Sequence, residues 1–138
     1  MEMRKVFAFV AVPGLLLVAL AMTSACRPLQ AAKAIKLDVD DAGYRVELRE
    51  GQALDVSLEA NPTTGYAWEV EELDEGILRQ LEEQEFEPQS DLIGAPGIQT
   101  LHFQAVGEGQ TTLKLIYHRS WEKGVEPLKA YSVEVVVR

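Results

Sequence analysis

Residues 54–68 read LDVSLEANPTTGYAW, and this stretch contains two alternating runs separated by the short segment NPTTG. Apolar and polar residues alternate before the segment, and Tyr66, Trp68 and Val70 alternate with other residues after it. A period of two is typical of a β-strand that buries one face. The stretch therefore predicts two strands joined through a loop at residues 61–65.

The residues of this loop restrict its own backbone. Pro62 sets its φ angle and confines Asn61 to extended conformations, while Gly65 permits a left-handed turn. Thr63 and Thr64 are β-branched and have few side-chain rotamers. Such a loop loses little conformational entropy on binding a partner. A sharp turn without any binding role explains these residues equally well when the loop is considered alone.

The same alternation recurs along the rest of the chain. It predicts further strands at residues 35–39, 44–48, 100–106, 113–118 and 131–137. Residues 73–87 show no clear period and are predicted to form a short strand or a helical turn, and residues 89–99 a loop. Seven or eight short strands without a strong helix predict an all-β fold, a sandwich of antiparallel sheets.

The beginning of the chain has the features of a secretory signal. Two basic residues precede an apolar stretch at residues 6–22, and small residues then lead into Cys26. We expect residues 1–25 to be removed. A transmembrane anchor is the alternative, because the apolar stretch approaches the ~20 residues that span a bilayer. Pro13 and Gly14 in its middle favour the signal.

Cys26 is the only cysteine, so no intramolecular disulfide can form. The sequence TSAC at residues 23–26 resembles a bacterial lipobox, although Thr23 stands where leucine is usual. We therefore expect lipidation of Cys26, with simple cleavage as the alternative. Residues 26–34 would be a tether and residues 35–138 the folded domain. The predicted product is an exported, membrane-anchored lipoprotein of the cell envelope, on its periplasmic or extracellular face.

The chain is acidic, with a net charge of −9 that becomes −10 without residues 1–25. Nucleic acid and anionic lipid should repel it, so we expect membrane contact only through a lipid anchor. The sequence contains no phosphate-binding glycine loop, and His102 and His118 lack the spacing of a zinc site. We expect no cofactor, no metal and a monomer. A small hydrolase using Ser90 or Ser132 is the weakest alternative.

Four short motifs together resemble one known family. They are NPTTGYAW at residues 61–68, LIGAPG at 92–97, HF at 102–103 and YHRSW at 117–121. In this order they resemble the chagasin-type inhibitors of papain-like cysteine proteases, and the resemblance covers residues from about 35 to the C-terminus. It implies an immunoglobulin-like sandwich that presents three loops at one end as a wedge.

The resemblance also implies which residues bind the protease. The central loop would place Thr63 and Thr64 over the catalytic cysteine and histidine, and the other two loops would flank the cleft. The predicted protease-binding residues are Asn61, Pro62, Thr63, Thr64, Gly65, Tyr66, Gly94, Ala95, Pro96, Gly97, Arg119 and Trp121. The implied function is reversible, non-covalent inhibition by occlusion of the active site.

Two departures from the family pattern affect the flanking loops. Ser120 stands where the family usually has proline, so we expect a less rigid third loop, and Pro96 among the glycines alters the second loop. Trp121 is an expected binding anchor, because tryptophan is enriched at interface hot spots. A buried structural Trp121 is the alternative, whereas Trp68 is expected in the core. A cell-envelope adhesion or assembly module is the alternative function.

Overall fold

The computed structural model describes residues 32–138, so the predicted signal segment and Cys26 lie outside the described residues. Eight strands and two single 3-10 turns, Val39–Asp41 and Pro62–Thr64, make up its regular structure. The strands are β1 (Ile35–Leu37), β2 (Arg45–Leu48), β3 (Ala53–Ala60), β4 (Ala67–Glu72), β5 (Leu78–Pro88), β6 (Gly97–Ala105), β7 (Gly109–His118) and β8 (Lys129–Val137). The predicted all-β fold is confirmed. Among these residues there is no helix with the length and apolar character to cross a membrane.

The strands form two four-stranded sheets, ordered β1-β3-β6-β5 and β2-β8-β7-β4. The pairs β3–β6, β5–β6, β4–β7 and β7–β8 are antiparallel, as predicted. The pairing differs at two sheet edges, where β1 is parallel to β3 and β2 is parallel to β8. The chain passes from one sheet to the other between β1 and β2, so neither strand is paired through a hairpin. A strand that is not joined to its neighbour by a hairpin can pair in either direction, and the local alternation does not report which.

The core lies between the sheets and follows the alternation along each strand. Leu54 faces Phe103 and Val56 faces Leu101 across β3 and β6, and all four side chains are fully buried. In the other sheet, Leu113, Leu115, Val133 and Val135 are buried in the same way. Each such side chain contributes roughly 1.5–3 kcal/mol by leaving water. This burial explains why the period-two pattern located these strands.

Residues 73–87 illustrate where the pattern was insufficient. Most of this segment belongs to β5, an eleven-residue strand that pairs with β6 and shifts register between Gln80 and Gln84. Leu78 is buried, but the rest of the strand is largely exposed. A strand exposed on both faces does not need alternating residues, so its sequence carries little signal. Strand β6 also starts at Gly97, three residues before the predicted start at Thr100.

A buried glutamine links the two sheets below the loops. Gln99 on β6 has only 6% of its surface exposed, and its amide donates to the Trp68 carbonyl and accepts from the Trp68 backbone N–H, each at 3.0 Å. Trp68 lies on β4, an edge strand with backbone groups that no further strand pairs. The indole of Trp68 donates to the Glu59 carbonyl at 3.0 Å. The predicted core position of Trp68 is confirmed, and side-chain hydrogen bonds hold it there.

Replacing Gln99 with leucine should therefore destabilise the sandwich. Gln99→Leu leaves a buried N–H and a buried carbonyl of Trp68 without partners, and we expect a loss of about 2–3 kcal/mol in the free energy of unfolding, measured in urea. Gln104→Leu is the matched control, because Gln104 lies on the same strand with an exposed side chain. Equal stability of the two variants would contradict this role of Gln99.

Candidate functional site

The central loop, residues 61–65, has the backbone that its sequence predicts. Asn61 is extended, with φ −134° and ψ 90°, and the turn Pro62–Thr64 ends at Gly65 in the left-handed region with φ +81°. The Gly65 N–H donates to the Pro62 carbonyl at 2.9 Å, and the Thr64 N–H donates to the Asn61 carbonyl at 3.1 Å. The loop is thus a closed turn with its own hydrogen bonds.

Both threonine hydroxyls of this loop bind back to Asn61. The Thr63 hydroxyl donates to the Asn61 side-chain oxygen at 2.5 Å, and the Thr64 hydroxyl donates to the Asn61 carbonyl at 2.6 Å. Both threonines remain exposed. An exposed β-branched side chain that is also hydrogen-bonded has little freedom to lose when a partner covers it.

The second loop, residues 89–96, joins β5 to β6 and contacts the central loop. The Asn61 side-chain amide donates to the Gly94 carbonyl at 3.2 Å, and Gly94 has φ +80°. The two ends of the second loop are joined by a hydrogen bond from the Gln89 N–H to the Pro96 carbonyl at 3.0 Å. Leu92 and Ile93 precede Gly94 and are almost fully exposed, with 77% and 105% of their surface accessible. These two apolar side chains were not among the predicted contact residues, although the quoted motif LIGAPG contains them.

The third loop, residues 119–128, joins β7 to β8 and contacts the central loop from its other side. The Arg119 Nε donates to the Thr64 carbonyl at 2.9 Å. The Trp121 indole packs against Gly65, where an added Cβ would overlap its Cη2 atom and lie 2.9 Å from its Cζ2 atom. Trp121 nevertheless has 65% of its surface exposed. The alternative of a buried structural Trp121 is therefore wrong.

A column of aromatic rings connects these loops to the core. The Arg119 guanidinium carbon lies 4.5 Å from the centre of the Tyr66 ring. The ring centres of Tyr66 and Tyr117 are 5.3 Å apart in a stacked arrangement, and those of Tyr117 and Trp68 are 5.2 Å apart. The Tyr117 hydroxyl accepts a hydrogen bond from the Asn61 backbone N–H at 2.9 Å. Tyr117 was predicted to lie in a strand and within the motif YHRSW, but not among the protease-binding residues. Its place at the end of a strand next to a loop motif is the signal that could have indicated this supporting role.

Arg119 forms an ion pair with Glu122 beside the central loop. Arg119 Nη1 lies 3.0 Å from Glu122 Oε1, and this hydrogen bond raises the pKa of Arg119, although partial burial opposes the shift. Electrostatic interactions with Tyr66 and with the Glu122 carboxylate raise the pKa of Arg119 further. Arg119 is charged, and its guanidinium donates to Thr64 and Glu122 and lies over the Tyr66 ring.

The structure thus brings together eleven of the twelve predicted protease-binding residues at the loop end. Gly97 differs, because it is the first residue of β6 and is buried. A Cβ at Gly97 would overlap the Glu87 carbonyl oxygen and lie 2.7 Å from the Phe86 ring. Its lack of a side chain serves the packing of β5 on β6, and the sequence motif alone cannot separate this use from binding.

The two histidines each pair with a carboxylate. His102 Nδ1 lies 2.6 Å from Asp55 Oδ1, and His118 Nε2 lies 2.8 Å from Glu69 Oε2, each pair across neighbouring strands. In residues 32–138 no group of three or more histidine, cysteine or acidic residues is placed to hold a metal ion. The Ser90 hydroxyl accepts from the Leu92 N–H at 3.3 Å.

Sequence comparison decides what kind of protein carries this arrangement. Residues 47–135 match the family described as "Chagasin family peptidase inhibitor I42". The chain belongs to this family. The prediction of an inhibitor, and not an enzyme, is therefore confirmed.

Three similar proteins support this membership in the chagasin family. Amoebiasin-2 from Entamoeba histolytica is 38% identical over 84 residues, which are 60% of this chain and 68% of amoebiasin-2. Chagasin from Trypanosoma cruzi is 31% identical over 83 residues, which are 57% of this chain and 76% of chagasin. The crystal structure of the cysteine protease inhibitor EhICP2 from Entamoeba histolytica is 30% identical with a TM-score of 0.67, and the match covers 77% of this chain and 96% of EhICP2. The predicted chagasin-type sandwich is confirmed.

The contact between Gly65 and Trp121 can be tested within this chagasin-family domain. Gly65→Ala should lose about 1–2 kcal/mol of stability from its positive φ angle and should also displace the indole of Trp121. Gly43→Ala is the matched control, because Gly43 has φ +84° but an added Cβ would meet nothing within 4 Å. The indole N–H signal of Trp121 in an NMR spectrum should move only in Gly65→Ala. An unmoved signal would contradict the packing.

Proposed function

We propose that this protein is a reversible, non-covalent inhibitor of papain-like cysteine proteases that occludes the active-site cleft with its three loops. The observation that carries the proposal is the direct bonding of both flanking loops to the central loop in a chagasin-family chain. Asn61 donates to Gly94 on one side, and Arg119 donates to Thr64 on the other. The three loops are therefore joined into one continuous surface, as a wedge for a cleft requires.

The central loop enters the cleft in this mechanism, with Thr63 and Thr64 over the catalytic cysteine and histidine. The turn Pro62–Thr64 is a 3-10 turn and not an extended segment. Attack by a thiolate needs a carbonyl held at short distance and in line with the sulfur. A closed turn with internal hydrogen bonds does not deliver its peptide bonds in that way, so the loop covers the catalytic residues without being cleaved.

The flanking loops supply apolar contact area on both sides of the cleft. Leu92 and Ile93 on the second loop and Trp121 on the third are exposed apolar side chains. A standard protein interface buries roughly 800 Å² on each partner, which is enough for nanomolar affinity when its anchors pack well. Because the loops are already ordered, little of this free energy is lost to immobilising them.

We further propose that the protein acts outside the cytoplasm, anchored by lipid on Cys26. The support is the apolar stretch at residues 6–22 followed by TSAC, which resembles a lipobox. We expect the intact mass of membrane-extracted protein to include acyl groups on a chain that begins at Cys26. A soluble product of unmodified mass would remove the lipid anchor from this proposal.

The inhibitory function is tested by incubating active papain with the chain from residue 27 onward and measuring residual peptidase activity. We expect inhibition at concentrations well below about 10 µM.

Trp121→Ala should weaken this inhibition by about 30-fold, because a partly exposed tryptophan that a partner buries is a typical hot spot. Tyr44→Ala is the matched control, since Tyr44 is also an aromatic residue with 65% exposure and lies outside the three loops.

Two results would contradict this proposal. Absence of inhibition across several papain-like enzymes would leave the adhesion or assembly module as the function. Equal inhibition by Trp121→Ala and Tyr44→Ala would show that Trp121 is not a binding anchor.

A further inference from the structure

The third loop begins with a turn that no proline restrains, since Ser120 between Arg119 and Trp121 leaves its φ angle open. Glu122 follows, and neither the motif nor the set of predicted contact residues includes it. We propose that Glu122 is a positioning residue that holds Arg119 in place and, through Arg119, orders the central loop. This inference rests on the proposed inhibitory function and names a further residue that the same site needs.

Glu122 makes two bonds to Arg119. Its backbone N–H donates to the Arg119 carbonyl at 3.1 Å, which closes a turn over Ser120 and Trp121. Its carboxylate accepts from Arg119 Nη1 at 3.0 Å. One residue thus restrains both the backbone of the turn and the side chain at its start, which offsets the unrestrained φ angle of Ser120.

Arg119 transmits this restraint to the central loop. Its Nε donates to the Thr64 carbonyl at 2.9 Å, and its guanidinium plane lies on the Tyr66 ring. A guanidinium is rigid and planar, so two acceptors and one ring face together determine its orientation. Without the carboxylate, the long arginine side chain regains rotamers, and its bond to Thr64 competes with water.

The position of Glu122 favours this indirect role over direct contact with a protease. Its side chain is 30% exposed, and its carboxylate is already bonded to Arg119. Trp121, beside it, is exposed, whereas Glu122 is only partly so. Glu122 therefore lies at the inner side of the loop, where it supports residues that a partner can reach.

The first experiment uses the full chain without any protease. Glu122→Ala should speed amide hydrogen exchange at Thr64 and Gly65 by about fivefold, because the central loop opens more often when Arg119 is mobile. Glu126→Ala, which removes the same charge from an exposed position on the same loop, should leave both rates unchanged. Unchanged rates at Thr64 and Gly65 in Glu122→Ala would overturn the proposal.

The second experiment measures inhibition of papain by the same variants. Glu122→Ala should weaken inhibition by about fivefold, mainly in the association rate, because the binding-competent loop is less populated in the free protein. Glu122→Gln retains an acceptor for Arg119 and should recover part of the loss. On an Arg119→Ala background, Glu122→Ala should have no further effect, since its action passes through Arg119.

These measurements separate the possible failures. Weaker inhibition with unchanged amide exchange would mean that Glu122 contacts the protease directly, and additive effects of the two alanine substitutions would mean the same. Both outcomes overturn the positioning role. If the unmodified protein does not inhibit papain, the proposed function fails, while faster exchange in Glu122→Ala would still support the action of Glu122 on the central loop.

Discussion

Every polar group of Asn61 is hydrogen-bonded, and the loop end of the sandwich depends on these bonds. Its backbone N–H donates to the Tyr117 hydroxyl in the core, and its side-chain amide donates to the Gly94 carbonyl in the second loop. Its two oxygens accept from Thr63 and Thr64. Pro62 keeps Asn61 extended, which is the conformation that lets one residue reach in all these directions.

The sandwich below acts as a rigid support for this junction. Strand β3 ends at Ala60 and strand β4 begins at Ala67, so the central loop connects one sheet to the other. Gln99 binds across the same gap, and the stacked rings of Tyr66, Tyr117 and Trp68 fill it. The loops are therefore held by buried contacts as well as by their own turns. Inhibition by occlusion requires such support, because a mobile loop would lose entropy on binding and could also adopt the extended form of a substrate.

Sequence reasoning succeeded where one face of a strand is buried and failed where this condition does not hold. Strands β3, β7 and β8 show clean alternation because their inward residues fill the core. Both faces of strand β5 are largely exposed, so its sequence did not distinguish a strand from a helical turn. The loop motif predicted the conformations of Asn61 and Gly65 correctly, since proline and glycine act through local sterics.

The sequence by itself determined the all-β class, the rigidity of residues 61–65 and the family resemblance, because these depend on neighbours in the chain. Only the tertiary structure decided which loops meet, that Gly97 packs inside while Trp121 is exposed, and that Tyr117 and Glu122 support the loops. These features arise from residues that are distant in the chain, or from side chains that have several possible partners. The central loop illustrates the division: its turn is local, whereas its bonds to Gly94, Tyr117 and Arg119 exist only in the folded sandwich.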